Sequence, residues 1–340
     1  MHIPDGYLSP ATAAVMYAAA APFWYRATQK IKTLVAGRAV PLIALFAAFS
    51  FVVMMFNIPL PGGTTGHAVG SVLAAIVLGP WAAVLAVSVA LIIQAFFFGD
   101  GGILAIGANA FNMAIAMPFV GYFLYRLLSG NASLTAARRV FAAAVAGYIA
   151  INVGALLTAV ELGIQPLLFH DAAGRALYFP YGLDISIPAM LLGHLTIAGI
   201  AEGVITGLVV AWLQRTNPQW LEASSGLTAA ATRVSRWAWA SLVALIVLTP
   251  MGLLAPGTAW GEWGREALEQ LGLGYIPAGF DQWSNLWSAP IPDYDLPGLN
   301  NPTVAYVLSA MLGVVLVLAV IFALAWILER VLRHSETQTI

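Results

Sequence analysis

The chain opens Met1-His2-Ile3-Pro4-Asp5-Gly6, which places an imidazole directly behind the amino terminus. With Met1 as the first residue, its α-amine, the His2 peptide nitrogen and the His2 imidazole close a five- and a six-membered chelate ring on one metal ion. Pro4 and Gly6 stand second and fourth in a type I turn expected over Ile3-Pro4-Asp5-Gly6, which folds the amino terminus back over the rest of the chain. A second histidine, His67, ends the glycine-rich run Pro61-Gly62-Gly63-Thr64-Thr65-Gly66-His67. Its imidazole would complete a planar set of four nitrogens. Tetragonal nitrogen coordination suits Ni(II), Cu(II) or low-spin Co(II) better than Zn(II), which favours a tetrahedron. Taken singly, each histidine has an ordinary explanation, His2 as a surface terminal residue and His67 as the cap of a helix entrance. Taken with the turn and the glycine-rich loop, they favour one shared metal.

The scaffold that must position these residues is a membrane one. Hydrophobic residues make up 61% of the chain and charged residues 9%, and the mean hydropathy is +0.86, far outside the range of soluble domains. The absence of cysteine excludes disulfides, thiolate metal sites and a cysteine nucleophile. The first ten residues contain no Lys or Arg and so lack the basic region of a cleavable signal peptide, which keeps the first span in the expected mature protein. Apolar runs fall at 8–25, 39–59, 68–98, 106–127, 139–163, 186–213, 237–255 and 303–329, each long enough for a transmembrane helix. The run 68–98 is too long for one crossing and contains Leu78-Gly79-Pro80-Trp81, where proline removes a backbone donor and splits it into 68–78 and 81–98.

Charge supports the split. With both halves crossing and the N-terminus outside, twelve of the fourteen basic residues, among them Arg26, Lys30, Lys32, Arg38, Arg126, Arg138, Arg139, Arg215, Arg233, Arg236, Arg330 and Arg333, face the cytoplasm. Only Arg175 and Arg265 remain outside. The expected fold class is therefore an all-α polytopic membrane protein of about nine transmembrane helices, N-out and C-in. The same assignment brings the His67 loop to the face that carries Met1 and His2. It also places ten of the fifteen acidic residues outside, including Asp5, Asp100, Glu262, Asp293 and Asp295, a surface that concentrates cations or merely complements the positive-inside pattern.

Asp5, Thr64, Thr65, Asn109 and Asn112 are candidates for a gate or for hydrogen-bonding partners of metal-bound imidazoles. Capping or interhelical bonding is the competing role for the two asparagines. His194, Glu202 and Glu161 suit either an ion relay or buried interhelical hydrogen bonds, and His170 and Asp171 lie in an outer loop. Ala14-Val15-Met16-Tyr17-Ala18 gives a small-xxx-small strip where another helix can approach, whether of a partner or of this chain. The only lysines are Lys30 and Lys32, and no Gly-x-x-x-x-Gly-Lys-Ser/Thr segment exists, so ATP hydrolysis would lie on another chain. No His-Glu-x-x-His motif supports an intramembrane metalloenzyme, and a strong chelate at one end fits a channel poorly. A metal-responsive receptor or channel stays as the alternative to a transporter subunit.

Met1-His2-Ile3-Pro4-Asp5-Gly6-Tyr7-Leu8-Ser9-Pro10, Gly63-Thr64-Thr65-Gly66-His67, Pro180-Tyr181-Gly182-Leu183 and Pro188-Ala189-Met190-Leu191-Leu192-Gly193-His194 resemble the CbiM/NikM family over roughly 1–215. Those are substrate-capture (S) components of energy-coupling factor transporters. The resemblance implies a seven-helix core in the inner membrane of a prokaryote that binds Ni(II) or Co(II) through Met1, His2 and His67. It further implies a CbiQ/NikQ-like transmembrane coupling protein touching Ala14 and Ala18, CbiO/NikO-like ATP-binding subunits, and a link to cobalamin biosynthesis. Neither an organic cofactor nor nucleic acid is expected, and lipid is the remaining partner. Residues 216–340, two spans around an outer segment at 256–302, look like the accessory CbiN/NikN component fused in one chain. Trp260, Trp263, Trp283, Trp287 and Tyr294 crowd that segment, as an interfacial aromatic belt or as a lid acting on the metal site.

Overall fold

The computed structural model describes residues 1–36, 39–222 and 234–337; Arg38 and Arg233, together with the side chains of Lys32, Arg333 and His334, lie outside the described residues. The chain is mostly helical: α1 (Pro10–Ala36), α2 (Val40–Met54), α3 (Ser71–Leu78), α4 (Pro80–Phe98), α5 (Ile106–Ser129), α6 (Ala137–Leu168), α7 (Leu183–Thr216), α8 (Arg236–Leu254), the short α9 (Arg265–Gln270) and α10 (Ala278–Trp283), and α11 (Pro302–Thr337). Among the described residues six of these, α4 to α8 and α11, are long and apolar enough to cross a membrane. The expected spans at 8–25, 39–59 and 68–78 correspond to α1, α2 and the eight-residue α3.

The break between α3 and α4 lies where proline predicts it. Gly79 adopts φ 81° and ψ 156°, a region open essentially to glycine, and Pro80 opens α4 with its preset φ. One element departs from the all-helical expectation. The glycine-rich run is the tip and second strand of an antiparallel hairpin, β1 (Ile58–Leu60) with β2 (Thr64–Gly66), in which Leu60 pairs with Thr64 and Ile58 with Gly66. Gly62 and Gly63, at φ 91° and 77°, turn the chain between the strands. The hairpin sets His67 at a fixed register just before α3.

Helix α4 is the centre of the bundle, with 72% of its most apolar window buried, against 28% for α8 and α11, which lie at the rim. Three helices widen into π turns, at Gln94–Phe98 in α4, Ala110–Ala116 in α5 and His194–Ala198 in α7. Helix α11 docks on α2, where the Tyr306 hydroxyl donates to the Met55 carbonyl at 2.9 Å and Gly313 lies so close to the Phe51 ring that no Cβ fits. The segment between α8 and α11 crosses the N-terminal arm and the hairpin, forming a parallel bridge from Ala259 to Thr65.

Candidate metal centre

The N-terminal arm is buried, with Met1 at 4% and His2 at 3% exposure and Ile3 and Tyr7 fully covered. Asn109 holds Ile3 from both sides, its Oδ1 accepting the Ile3 N–H at 2.8 Å and its Nδ2 donating to the Ile3 carbonyl at 3.1 Å. Gly102 N–H donates to that same carbonyl at 2.8 Å. The Asp5 carboxylate accepts the N–H groups of Ile103 and Leu104 at 2.9 and 2.8 Å. The turn is centred on Asp5-Gly6, with Gly6 at φ 90°. Gly6 thus takes an interior left-handed position and not the fourth place of a type I turn, because a side chain there would press on the Phe280 backbone.

This arm delivers His2 to His67. Burial, then the neighbouring terminal amine, lowers the His2 pKa to about 4 and holds that of His67 well below the ordinary value, so both rings are neutral at pH 7. The His67 Nδ1–H donates to the Ala68 carbonyl at 3.1 Å, which leaves its Nε2 lone pair facing Nδ1 of His2 at 3.3 Å. The His2 Nδ1–H is shared with Asp100 Oδ1 at 3.0 Å. Nδ1 is the ring nitrogen that closes a six-membered chelate with the His2 peptide nitrogen, so the two imidazole atoms a planar set needs already face each other. Met1 brings the third group, its ammonium donating to Glu262 Oε1 at 3.0 Å.

Asp100 and Glu262 enter the centre unforeseen as site residues; the sequence placed them only among the outer acids. With His2 they put one ligand atom each within 4.8 Å of one another. Tyr294 donates to Asp100 Oδ2 at 2.6 Å and Gln94 Nε2 donates to the same oxygen at 3.3 Å. Burial outweighs the Tyr294 bond and the nearby terminal amine and raises the Asp100 pKa. The C-terminal segment therefore closes over the arm: besides Glu262, the Trp263 carbonyl accepts the Tyr7 hydroxyl at 2.8 Å. Trp263 stacks on Phe179 and Trp260 on Tyr181. Those two tryptophans face protein, whereas Trp287 is 45% exposed while donating to the Phe96 carbonyl.

The remaining candidates have other partners. Neither asparagine bonds an imidazole: Asn109 holds Ile3, and Asn112 donates to Thr158 and Glu161 between α5 and α6. The Thr64 hydroxyl donates to the Thr258 carbonyl, and Thr64 and Thr65 line a small pocket with Met1, Met190 and His194. His194 donates Nδ1–H to Met190, and Glu202 accepts the Val69 and Gly70 N–H groups directly behind His67. His170 is exposed and bonds the Asp171 carbonyl, and the Asp171 carboxylate is taken up by Ala173 and Arg175. Ala14 and Ala18 are exposed on α1.

A family model described as the cobalt uptake substrate-specific transmembrane region, CbiM, matches residues 2–220. The chain belongs to the CbiM family. A PDGLE-domain model matches residues 234–330, so the likeness to the CbiN/NikN component holds for the C-terminal part of this CbiM-family chain. The chain is similar along 94% of its length to the fused nickel transport protein NikMN of Rhodobacter capsulatus, at 54% identity and covering 95% of that protein. It is similar at 45% identity to a probable fused nickel transport protein LarMN of Lactiplantibacillus plantarum, covering 94% of this chain and 96% of that one. A solved structure of a transition metal transporter, 54% identical, superposes with a TM-score of 0.60 over 66% of this chain and 99% of that one. Membership in this family makes the CbiM-family chain a transport protein and not an enzyme, which answers the metalloenzyme alternative.

Proposed function

We propose that the chain is the substrate-capture component of an ATP-driven energy-coupling factor transporter and takes up Ni(II) or Co(II), with nickel favoured. The ion is held by the Met1 amine, the peptide nitrogen and Nδ1 of His2, and Nε2 of His67. The observation that carries this reading is the approach of His2 Nδ1 to His67 Nε2 at 3.3 Å in a buried pocket that also docks the amino terminus. Nickel is favoured because four nitrogens in a plane match its preference, and because the relatives at 54% and 45% identity are described as nickel transport proteins. Other CbiM proteins, such as that of Nostoc sp. at 34% identity over 65% of this chain, are described as cobalt transport proteins.

In this reading residues 1–215 form the seven-helix capture core and residues 216–340 an accessory part whose outer segment covers the site. The chain crosses a prokaryotic inner membrane nine times, N-out and C-in. A coupling protein docks along Ala14 and Ala18, and separate ATP-binding subunits supply the energy. The test is titration with Ni(II) and Co(II), followed by calorimetry and visible absorption, of protein with its native start and of protein carrying one extra N-terminal residue. Tight binding with the absorption of square-planar Ni(II), lost on extension, is the expected result. Equal binding by both proteins would discard the N-terminal chelate and return attention to the mixed set of His2, Asp100 and Glu262.

A further inference from the structure

His67 opens a short link, His67-Ala68-Val69-Gly70, between β2 and α3, and three elements grip it. On the hairpin side, Gly66 is paired with Ile58. From the middle of α7 the Glu202 carboxylate reaches the backbone of the link: its Oε2 accepts the Val69 N–H at 2.7 Å, and the Gly70 N–H is shared between Oε2 and Oε1 at 3.1 and 3.2 Å. From α2 the Ser50 hydroxyl donates to the Val69 carbonyl at 2.5 Å. Gly70 itself takes φ 72° and lies so near the Phe49 ring of α2 that a Cβ would approach it to 2.7 Å.

Glu202 is fully buried in a helix apolar enough to cross a membrane, and among the described residues its carboxylate is answered by those backbone N–H groups and not by a cation. An ionisable side chain in such a place is costly and marks a function. Its base is rigid: a Cβ on Gly203, the next residue, would come within 2.8 Å of the Ala144 carbonyl oxygen of α6, so α7 is seated directly on its neighbour there. Two residues before the bond at Val69, Nε2 of His67 faces Nδ1 of His2 at 3.3 Å. Side chains that share one ion must be held to within about 0.5 Å of the productive geometry. The hairpin controls the chain that precedes His67, and the Glu202 bonds control the chain that follows it.

We infer that Glu202 is a positioning residue for the metal centre: its carboxylate fixes the backbone behind His67 so that Nε2 of that ring meets the ion held by the amino-terminal arm. This rests on the ligand set proposed above and names what holds the one ligand that comes from outside the arm. Glu202 acts through Val69 and Gly70, not as a ligand. Removing the carboxylate leaves two buried N–H groups without that acceptor in an apolar bundle. Such groups are costly, so the link shifts to find them other partners, and His67 shifts with it. The three nitrogens of Met1 and His2 stay in place, and the ion is kept more weakly, with a water oxygen where the imidazole nitrogen was.

The experiment is a double-mutant cycle of Ni(II) binding on the full chain with its native start, in lipid nanodiscs, read by calorimetry and by the visible absorption of planar Ni(II). Glu202→Leu, near in size but without an acceptor, is expected to bind Ni(II) about 10- to 100-fold more weakly. Its absorption band should move to longer wavelength, as that of His67→Ala does, because oxygen is a weaker-field ligand than imidazole nitrogen. Combined with His67→Ala it should add less than twofold, since the ligand it positions is already gone. Glu202→Gln keeps the shape and one accepting oxygen, so it is expected to fold even where Glu202→Leu does not, and its smaller loss should likewise vanish beside His67→Ala. Wild-type affinity in either folded Glu202 variant, or a loss that persists in full without His67, overturns the positioning role and leaves the ligand set standing. Wild-type affinity and absorption in His67→Ala sink the ligand set and this inference with it.

Discussion

At the scale of single residues, the centre depends on hydrogen bonds that bring a flexible terminus to a rigid pair of rings. Asp5 is the main anchor, since its carboxylate answers two N–H groups of the loop that carries Asp100. Asp5→Ala would leave both part-buried donors without that partner, at about 1 kcal/mol for each lost bond; the expected result is a lower thermal midpoint and weaker Ni(II) binding in calorimetry. The outer loop at His170 should behave oppositely. Its groups are engaged with one another, so His170→Ala is expected to change nickel affinity less than twofold. Asp171 gives that loop a pH dependence. The Arg175 N–H, more than the Arg175 guanidinium and the Ala173 N–H, holds its carboxyl below the ordinary value. A depressed folded-state pKa means the stabilisation is present above the ordinary carboxylate range and lost as pH falls through the lowered value. Amide exchange at Ala173 and Arg175 should therefore accelerate, relative to its intrinsic rate, below about pH 4.

At the scale of elements, the sequence was legible where one residue type forces the backbone and opaque where placement depends on tertiary folding. Gly79-Pro80 declared the break between α3 and α4 because Gly79 takes a φ of 81° that glycine alone adopts readily and Pro80 suits a first helical position. The π turns at Gln94, Asn112 and His194 were not legible, since one extra residue per turn leaves an apolar run's composition unchanged. Yet each carries a buried polar side chain, the setting in which such turns are frequent. The meeting of Met1 and His2 with His67 was legible because two of them are adjacent in sequence and the charge pattern put the third on the same face. Asp100 and Glu262 looked like any other outer acid until the loop at 99–105 and a segment some 160 residues later met the arm. Gly102 marks that meeting: a Cβ there would strike the Asp5 backbone and carboxylate. Gly102→Ala should lift the arm from its seat, and the expected readout is loss of Ni(II) binding by more than about tenfold, with the far-ultraviolet helix signal kept.

At the scale of the whole molecule, contacts in two layers join the CbiM-like part at 2–220 to the PDGLE-like part at 234–330. The solved transporter structures cover 66% and 63% of this chain and 99% of their own chains, so about a third of this chain is not matched by them. The PDGLE-like part supplies both layers. Within the bundle, Gly313 fits against Phe51, and Tyr306 reaches the Met55 carbonyl. Over the site, Glu262 holds the terminal amine, and Tyr294 stacks on Phe98 while donating to Asp100. Tyr294 pays for that position with a left-handed backbone at φ 61°, strain that a tyrosine bears only where surrounding contacts impose it. Each of these contacts joins described residues on either side of the stretch from Glu222 to Val234, so cutting the chain between those two residues and co-expressing the pieces should give two polypeptides that purify together and bind nickel. Gly313→Leu in the split protein attacks the bundle layer alone. The expected outcome is separation of the two pieces and weaker nickel binding by the core left behind, because its amine and Asp100 have lost their partners. Co-purification with undiminished binding would mean that the contacts over the site suffice to hold the two parts, and that the seam along α11 is dispensable.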